Sequence, residues 1–210
     1  RAAENAPIQL VAANAGVIFG RSTTLSGEPS EWALTFQVNV LGLFNTLRAF
    51  VPALLAQDSP SAVEITASMS GAIYGDTGPY GPSKLAALGV AEALHTELAE
   101  EDALDKISVV ALCPGYVQTN LLETSGLVPG AAAIASEVRR NQAPIPALGI
   151  TSEDAREGDV TSGATADALA AGLAEGMTPQ FCAEQVFAHP ATGRLYCLLD
   201  ENSDRPADFE

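Results

Sequence analysis

Short apolar runs alternate with longer amphipathic stretches along the first half of the chain. Runs of strand length lie at 8–13, 62–67 and 107–112, and each ends at polar residues, glycine or proline. Between them, apolar residues recur at helical spacing over about 31–55 and 80–99. This alternation predicts an α/β fold: a doubly wound parallel sheet with helices on both faces, in three α/β/α layers.

The second half of the chain has a weaker pattern. We expect one domain over 1–210, because this length is enough for a single sizeable core, with a variable lobe at 120–178. The lobe is predicted to contain one or two short helices at 121–140, a loop at 141–159, and either a linker at 161–175 or a helix at 164–175. A last strand is predicted at 193–199.

Two helix starts are marked by capping residues. Ser30 is the predicted N-cap of the 31–55 helix, because its hydroxyl can accept a hydrogen bond from the first turn. Thr178 followed by Pro179 predicts a threonine N-cap with proline in the first turn of a helix that ends near 187.

Candidate chemistry is concentrated at the head of the 80–99 helix. Tyr80 and Lys84 are four residues apart, so both polar tips can lie on one helix face. A phenol with a pKa of about 10 is a poor acid or base at neutral pH, and a nearby ammonium favours the phenolate. Ser68, after the 62–67 strand, could hold a substrate oxygen beside the phenol. The spacing alone is weak, since a surface tyrosine with an exposed lysine gives the same pattern.

Three further segments make the Tyr80–Lys84 spacing stronger evidence for an active site. They are Asn14-Ala15-Gly16, Asn39-Val40 with Gly42, and Pro114-Gly115 with Val117 and Thr119. In this order, with Tyr80 and Lys84, they make the chain resemble the short-chain dehydrogenase/reductase (SDR) family, whose sheet is Rossmann-like. The resemblance is clearest over 8–119 and weaker over 183–199. It implies an NAD(P)-dependent oxidoreductase that transfers hydride between nicotinamide and an alcohol or carbonyl substrate.

The resemblance assigns catalytic roles to individual residues. Tyr80 is the expected general acid/base, Lys84 lowers the pKa of the phenol and binds the nicotinamide ribose, and Ser68 hydrogen-bonds the substrate oxygen. The loop from Ser68 to Tyr80 is one residue shorter than the family's common pattern. Two alternatives therefore stay open, Ser70 as the serine and Tyr74 as the acid.

A fourth catalytic role and the cofactor contacts follow from the same resemblance. Asn39 matches an asparagine that holds a water in a proton relay to the lysine; the alternative is a helix-interior asparagine that bonds its own backbone. Besides Tyr80 and Lys84, the expected cofactor-binding residues are Asn14, Ala15, Gly16, Pro114, Gly115, Val117 and Thr119. The family usually has a further asparagine where this chain has Ala13.

One family feature is missing from this sequence. A glycine-rich fingerprint should follow the first strand and cradle the pyrophosphate, yet the resemblance begins at the family's fourth strand. The missing part would be two βαβ units, roughly 70 residues, and without it the 8–13 run would be an exposed apolar edge. We therefore expect an N-terminal segment in the complete enzyme. The residue that selects NAD or NADP would lie there, so this chain does not indicate which of the two binds.

Composition limits the partners. The net charge of −16 disfavours nucleic acid and anionic membranes, no uninterrupted apolar run approaches about 18 residues, and no signal peptide is recognisable. Three cysteines without metal-ligand spacing predict reduced thiols, no metal site and a cytoplasmic location. The expected partners are a small alcohol or ketone and further copies of this chain, as a homodimer or homotetramer, because relatives commonly pair through the two helices that carry Asn39 and Tyr80.

Two other functions stay open. A cofactor-independent hydrolase or lyase could reuse Ser68, Tyr80 and Lys84, and turnover without nicotinamide would indicate it. A non-catalytic dimeric binding protein would show neither turnover nor cofactor binding. Apolar residues over 121–150 hint at an apolar substrate, although packing on the core explains them equally well.

Overall fold

The computed structural model describes residues 6–18, 24, 27, 29–72, 78–121, 125 and 171–199. Within these residues, four strands form one parallel sheet in the order β1-β2-β3-β4. The strands are β1 (Leu10–Ala13), β2 (Ser61–Thr66), β3 (Ile107–Pro114) and β4 (Tyr196–Leu199). The helices that lie wholly within the described residues are α1 (Pro29–Phe36), a π-helical segment (Gln37–Gly42), α2 (Leu43–Ala56), α3 (Met69–Ala72), α4 (Tyr80–Glu100), α5 (Pro179–Ala188) and a 3-10 turn (His189–Thr192).

The sheet is covered on both faces. Val63 and Ile65 of β2 are fully buried in a cluster formed with apolar side chains of α2 and α4. On the opposite face, Val110 and Leu112 of β3 pack with Cys182 of α5. Since successive strand residues point to opposite faces, the continuous apolar runs of these strands fill both layers. The predicted three-layer α/β/α architecture is confirmed.

Of the two predicted helix starts, one is confirmed and one is wrong. Thr178 caps α5, and its hydroxyl oxygen accepts a hydrogen bond from Phe181 N at 3.2 Å. Ser30 is not an N-cap, because α1 begins one residue earlier, at Pro29, and Ser30 is buried inside the helix. The fixed φ of proline suits the first turn of a helix, so the helix includes the proline and the serine after it.

The strand ends differ from the prediction for local reasons. Ile8 is outside β1 because its backbone pairs with a side chain instead of a strand: Ile8 N donates to Gln57 Oε1 at 3.1 Å, and Gln57 Nε2 donates to Ile8 O at 2.8 Å. β3 continues to Pro114, which pairs with the end of β4. β4 starts at Tyr196 and not at 193, because Gly193 has a φ of 68°, a left-handed conformation that ends the preceding turn.

Most of the predicted variable lobe lies outside the described residues, and so does Tyr74. Residues 171–175 are helical, which agrees with the helix alternative for the end of the 164–175 segment.

One helical stretch bears on the membrane prediction. Within the described part of the chain, Pro29–Ala56 is the only helix long and apolar enough to cross a bilayer, as judged by length and composition. A core helix of a soluble protein or a signal sequence passes the same test, so this is weak evidence. The argument from uninterrupted apolar runs therefore does not decide the question.

Candidate active site

Tyr80 and Lys84 lie together at the start of α4. The Lys84 ammonium is 5.8 Å from the centre of the Tyr80 ring, within the range of a favourable cation–π contact. Tyr80 is half-buried, whereas Lys84 is only 4% exposed. The i, i+4 prediction from the sequence is thus matched by a close approach of the phenol ring and the ammonium.

The Lys84 ammonium is held by the end of β2. Its Nζ donates a hydrogen bond of 2.7 Å to the backbone oxygen of Thr66, the last residue of that strand. Burial lowers the pKa of Lys84 to about 8, although the negative charge of Glu64 opposes the shift. Burial raises the pKa of Cys113, another close neighbour, to about 12, so its thiol is neutral at pH 7. The pKa of Lys84 therefore lies well below its ordinary value of 10.5.

Ser68 is buried at the turn between β2 and α3. Its hydroxyl oxygen accepts a bond from Ser70 N at 3.2 Å, and its backbone oxygen accepts from Gly71 N at 3.0 Å. The first bond uses a lone pair and leaves the hydroxyl hydrogen able to donate. Gly71 brings this turn against α4, since a Cβ on Gly71 would lie 2.6 Å from Leu85 N. Ser70 lies on the surface of the same turn, half-buried.

Asn39 lies in the π-helical segment and is buried, and its side-chain amide makes three hydrogen bonds. Its Oδ1 accepts from Val17 N at 2.8 Å, and its Nδ2 donates to Val17 O at 3.0 Å and to Ser83 Oγ at 2.9 Å. Ser83 Oγ in turn donates to Tyr80 O at 2.7 Å. The amide therefore does not bond the backbone of its own helix, but ties the loop after β1 to the first turn of α4.

The loop after β1 lies against the same pair of helices. A Cβ on Gly16 would be 3.3 Å from Lys84 Nζ and 3.5 Å from Asn39 Oδ1. A larger residue would crowd the ammonium, so glycine keeps this approach open. Asn14 and Ala15, by contrast, are exposed at the carboxyl end of β1.

The segment after β3 is braced by the residues before α5. Gly115 N donates to Leu199 O at 2.8 Å, and Val117 forms a parallel bridge with Met177. Gly176 contacts the backbone so closely that a Cβ there would lie 2.4 Å from Tyr116 O. Pro114 thus ends the strand beside β4. Thr119 is exposed two residues beyond the bridge.

Several residues of this region were missed by sequence reasoning. Ser83 and Thr66 position the tyrosine and the lysine through hydrogen bonds between elements that are distant in the chain. Ser125 is buried, accepts from Ile18 N at 2.9 Å and donates to Leu121 O at 2.6 Å, so it fastens the start of the variable lobe to the loop after β1. A serine hydroxyl in a polar segment gives no local signal of such a contact.

Other predicted features concern metal ions and thiols. The described residues contain no group of three or more His, Cys, Asp or Glu side chains that could hold a metal ion. Cys113, Cys182 and Cys197 are free and buried.

The chain matches known proteins over its first half. The family model described as short chain dehydrogenase matches residues 2–127. A 17-beta-hydroxysteroid dehydrogenase 13 from Mus musculus is 35% identical over 114 residues, which is 53% of this chain and 36% of the relative. The 1-deoxy-11-beta-hydroxypentalenate dehydrogenase of Streptomyces avermitilis is 38% identical over 123 residues, 58% of this chain and 43% of the relative. The chain thus spans less than half the length of these relatives.

The fold has solved counterparts. A short-chain dehydrogenase/reductase from Burkholderia phymatum in complex with NAD is similar to this chain, with a TM-score of 0.70 and 25% sequence identity. The superposition covers 91% of this chain and 61% of the Burkholderia chain. A second structure, a short-chain dehydrogenase from Shigella flexneri complexed with NADP, has a TM-score of 0.50 and 23% sequence identity. Its match covers 63% of this chain and 53% of the Shigella chain.

Proposed function

Because the chain belongs to the short-chain dehydrogenase/reductase family, we propose that it is the catalytic part of an NAD(P)-dependent oxidoreductase acting on an alcohol/carbonyl pair. The observation that carries the proposal is the buried Lys84 ammonium, 5.8 Å from the Tyr80 ring. An ammonium in that position favours the phenolate, which brings a tyrosine into the range of acid/base work.

The residues present suit the nicotinamide-ribose end of the cofactor. Lys84 has three N–H donors and the bond to Thr66 O uses one, so a ribose diol offers matching acceptors. Gly16 keeps the backbone close to the ammonium without a side chain in the way. Pro114, Gly115, Val117 and Thr119 would line the carboxamide side. When bound, the nicotinamide supplies the hydride chemistry, and either NAD or NADP meets these requirements.

The protein's own groups then handle the proton and the substrate oxygen. Tyr80 gives a proton to the carbonyl oxygen or takes it from the alcohol, and the Ser68 hydroxyl donates to the same oxygen. Lys84 stabilises the phenolate between turnovers. Since both amide N–H groups of Asn39 are already bonded to Val17 O and Ser83 Oγ, Asn39 would hold a water through one of its oxygen atoms.

Substitution of Tyr80 by phenylalanine tests this function. With NADH or NADPH and a panel of carbonyl compounds that includes a 17-ketosteroid, Tyr80→Phe should lower kcat by at least about 100-fold, since general acid/base catalysis contributes 10²–10⁴-fold. The matched control is Tyr196→Phe, which removes a hydroxyl that bonds Glu92 on the surface and should leave kcat unchanged. Equal kcat in Tyr80→Phe and wild type would remove Tyr80 from the mechanism, and turnover without nicotinamide would indicate the hydrolase or lyase.

We also propose that the chain forms at least a dimer through α2 and α4. Leu41 at the end of the π-helical segment that leads into α2 is 56% exposed, Phe44 of α2 50% and Leu85 of α4 57%, and we take these exposed apolar side chains as the interaction face, since apolar surface patches mark such sites. Sedimentation of the wild type should give at least twice the monomer mass, and Phe44→Glu should shift the equilibrium towards monomer. A monomeric wild type would contradict the proposal.

A further inference from the structure

Glu64 is a buried acid in the middle of β2. It is 3% exposed, and its neighbours Val63 and Ile65 are fully buried apolar residues. An isolated carboxylate in such a place is costly unless it is paired, and none of the roles assigned above explains it.

Glu64 and Lys84 both form a hydrogen bond with Thr66. The Thr66 hydroxyl donates to Glu64 Oε1 at 2.7 Å, and the backbone oxygen of the same Thr66 accepts from Lys84 Nζ at 2.7 Å. A second oxygen, Asn14 Oδ1, lies 3.0 Å from the Thr66 hydroxyl. The Thr66 hydroxyl has a single hydrogen, and it donates that hydrogen to the carboxylate, which is the stronger acceptor. The amide of Asn14 can then turn so that its NH₂ group donates to the Thr66 hydroxyl oxygen.

We propose that Glu64 is a positioning residue for the reaction: through Thr66 it holds a negative charge beside the Lys84 ammonium and keeps that lysine protonated to a higher pH. The inference rests on the proposed function, since the charge on Lys84 matters for catalysis because it acts on Tyr80.

The electrostatics agree with this geometry. Burial raises the pKa of Glu64, while its bond from Thr66 and the charge of Lys84 oppose the rise. Besides Tyr80, whose ring lies 5.8 Å from the ammonium, the described titratable groups that interact with the pair are thiols: Cys113 of β3 has a pKa raised to about 12 and Cys197 of β4 a pKa raised to about 11, both mainly by burial. Of the two groups that raise the pKa of Lys84, Glu64 acts more strongly than Cys113, and the Cys113 thiol is neutral at pH 7.

Lysine NMR tests the inference directly. The 210 residues contain two lysines, Lys84 and Lys106, so protein labelled with ¹³C at the lysine Cε gives two signals, and Lys106→Arg assigns them. In the wild type the Lys84 signal should titrate near the expected pKa of about 8. In Glu64→Gln its midpoint should fall by at least about 1 pH unit, the effect of losing one close opposite charge.

Two comparisons separate charge from general disturbance. Glu64→Asp restores the charge and should return the midpoint most of the way to the wild-type value. Glu97→Gln makes the same change of net charge at an exposed site of α4 and should leave the midpoint unchanged. A Glu64→Gln midpoint equal to that of the wild type, or a Glu97→Gln shift of the same size, would overturn the inference.

The wild type itself offers a test if Glu64→Gln does not fold. The Lys84 signal should show a second, smaller inflection above pH 4.5, where Glu64 takes up its proton, and the Lys106 signal should not. A single inflection for Lys84 would overturn the inference. Because these measurements need no turnover, they are independent of the proposed function, whose failure would appear as the absence of carbonyl reduction with either nicotinamide.

With an active substrate, the pH profile adds a catalytic readout. The part of the kcat–pH profile that reflects loss of the Lys84 proton should move to lower pH in Glu64→Gln, by the same amount as the NMR midpoint. A profile that loses amplitude at every pH without shifting would mean that Glu64 is only structural.

Discussion

Replacing Lys84 with methionine should change how the stability of the fold depends on pH. The pKa of the ammonium is 10.5 when water solvates it in the unfolded chain, and burial lowers the pKa to about 8 in the fold. This difference corresponds to about 3 kcal/mol of unfavourable burial below pH 8, at about 1.4 kcal/mol per pH unit. Between pH 8 and 10.5 the unfolded state binds more protons than the folded state, so this penalty decreases as the pH rises.

The wild type should therefore gain about 2 kcal/mol of unfolding free energy relative to Lys84→Met between about pH 7 and pH 9.5. Urea unfolding of both proteins at several pH values measures this difference, and ionisations common to the two proteins cancel. The absolute offset also contains the lost bond to Thr66 O, so the slope is the quantity to compare.

Lys106→Met is the matched control for this experiment. Lys106 is exposed, so removing its ammonium should leave a curve parallel to that of the wild type. A difference between wild type and Lys84→Met that is flat from about pH 7 to 9.5, or that falls, would refute the claim that the Lys84 ammonium is buried at a cost.

Two further predictions concern packing and tethering. Gly71→Ala should lower the unfolding free energy by about 1–3 kcal/mol, because the new Cβ would meet the backbone at Leu85 N. The control Gly89→Ala, with nothing within 4 Å of the added Cβ, should raise the unfolding free energy by about 0.5–1 kcal/mol. Equal effects of the two substitutions in urea unfolding would contradict the contact at Gly71. Ser125→Ala should cost about 1–3 kcal/mol, because Ile18 N loses its acceptor in a buried place; an unchanged urea midpoint would show that the tether carries no stability.

The layers of the fold could be predicted from the sequence because parallel strands buried on both faces are continuous apolar runs. Val63 and Ile65 face α2 and α4, while Val110 and Leu112 face α5, and all four belong to such runs. The ends of these elements depend on contacts with distant residues. Ile8 leaves β1 because of the side chain of Gln57, and that partnership has no signal in the sequence around Ile8.

The candidate site divides in the same way. Tyr80 and Lys84 could be paired from the sequence because i, i+4 spacing fixes their relative placement on a helix. The π-helical turn at Asn39, the Ser83 hydroxyl and the Thr66 carbonyl could not, since each acts on a residue of another element. Glu64, a charged residue inside an apolar strand, is the local feature of the sequence that indicates a buried charge near the lysine.

The surroundings of Lys84 explain why a Tyr-x-x-x-Lys spacing is weak evidence by itself. An exposed pair has the same spacing, but its lysine keeps an ordinary pKa because water solvates it. Here β2 supplies an acceptor at Thr66 and, through Glu64, an opposing charge, while the loop at Gly16 closes over the ammonium. Burial therefore lowers the pKa of Lys84, while the charge of Glu64 in β2 limits the shift, so a substitution of Glu64 should alter the acid/base behaviour of a lysine on another element.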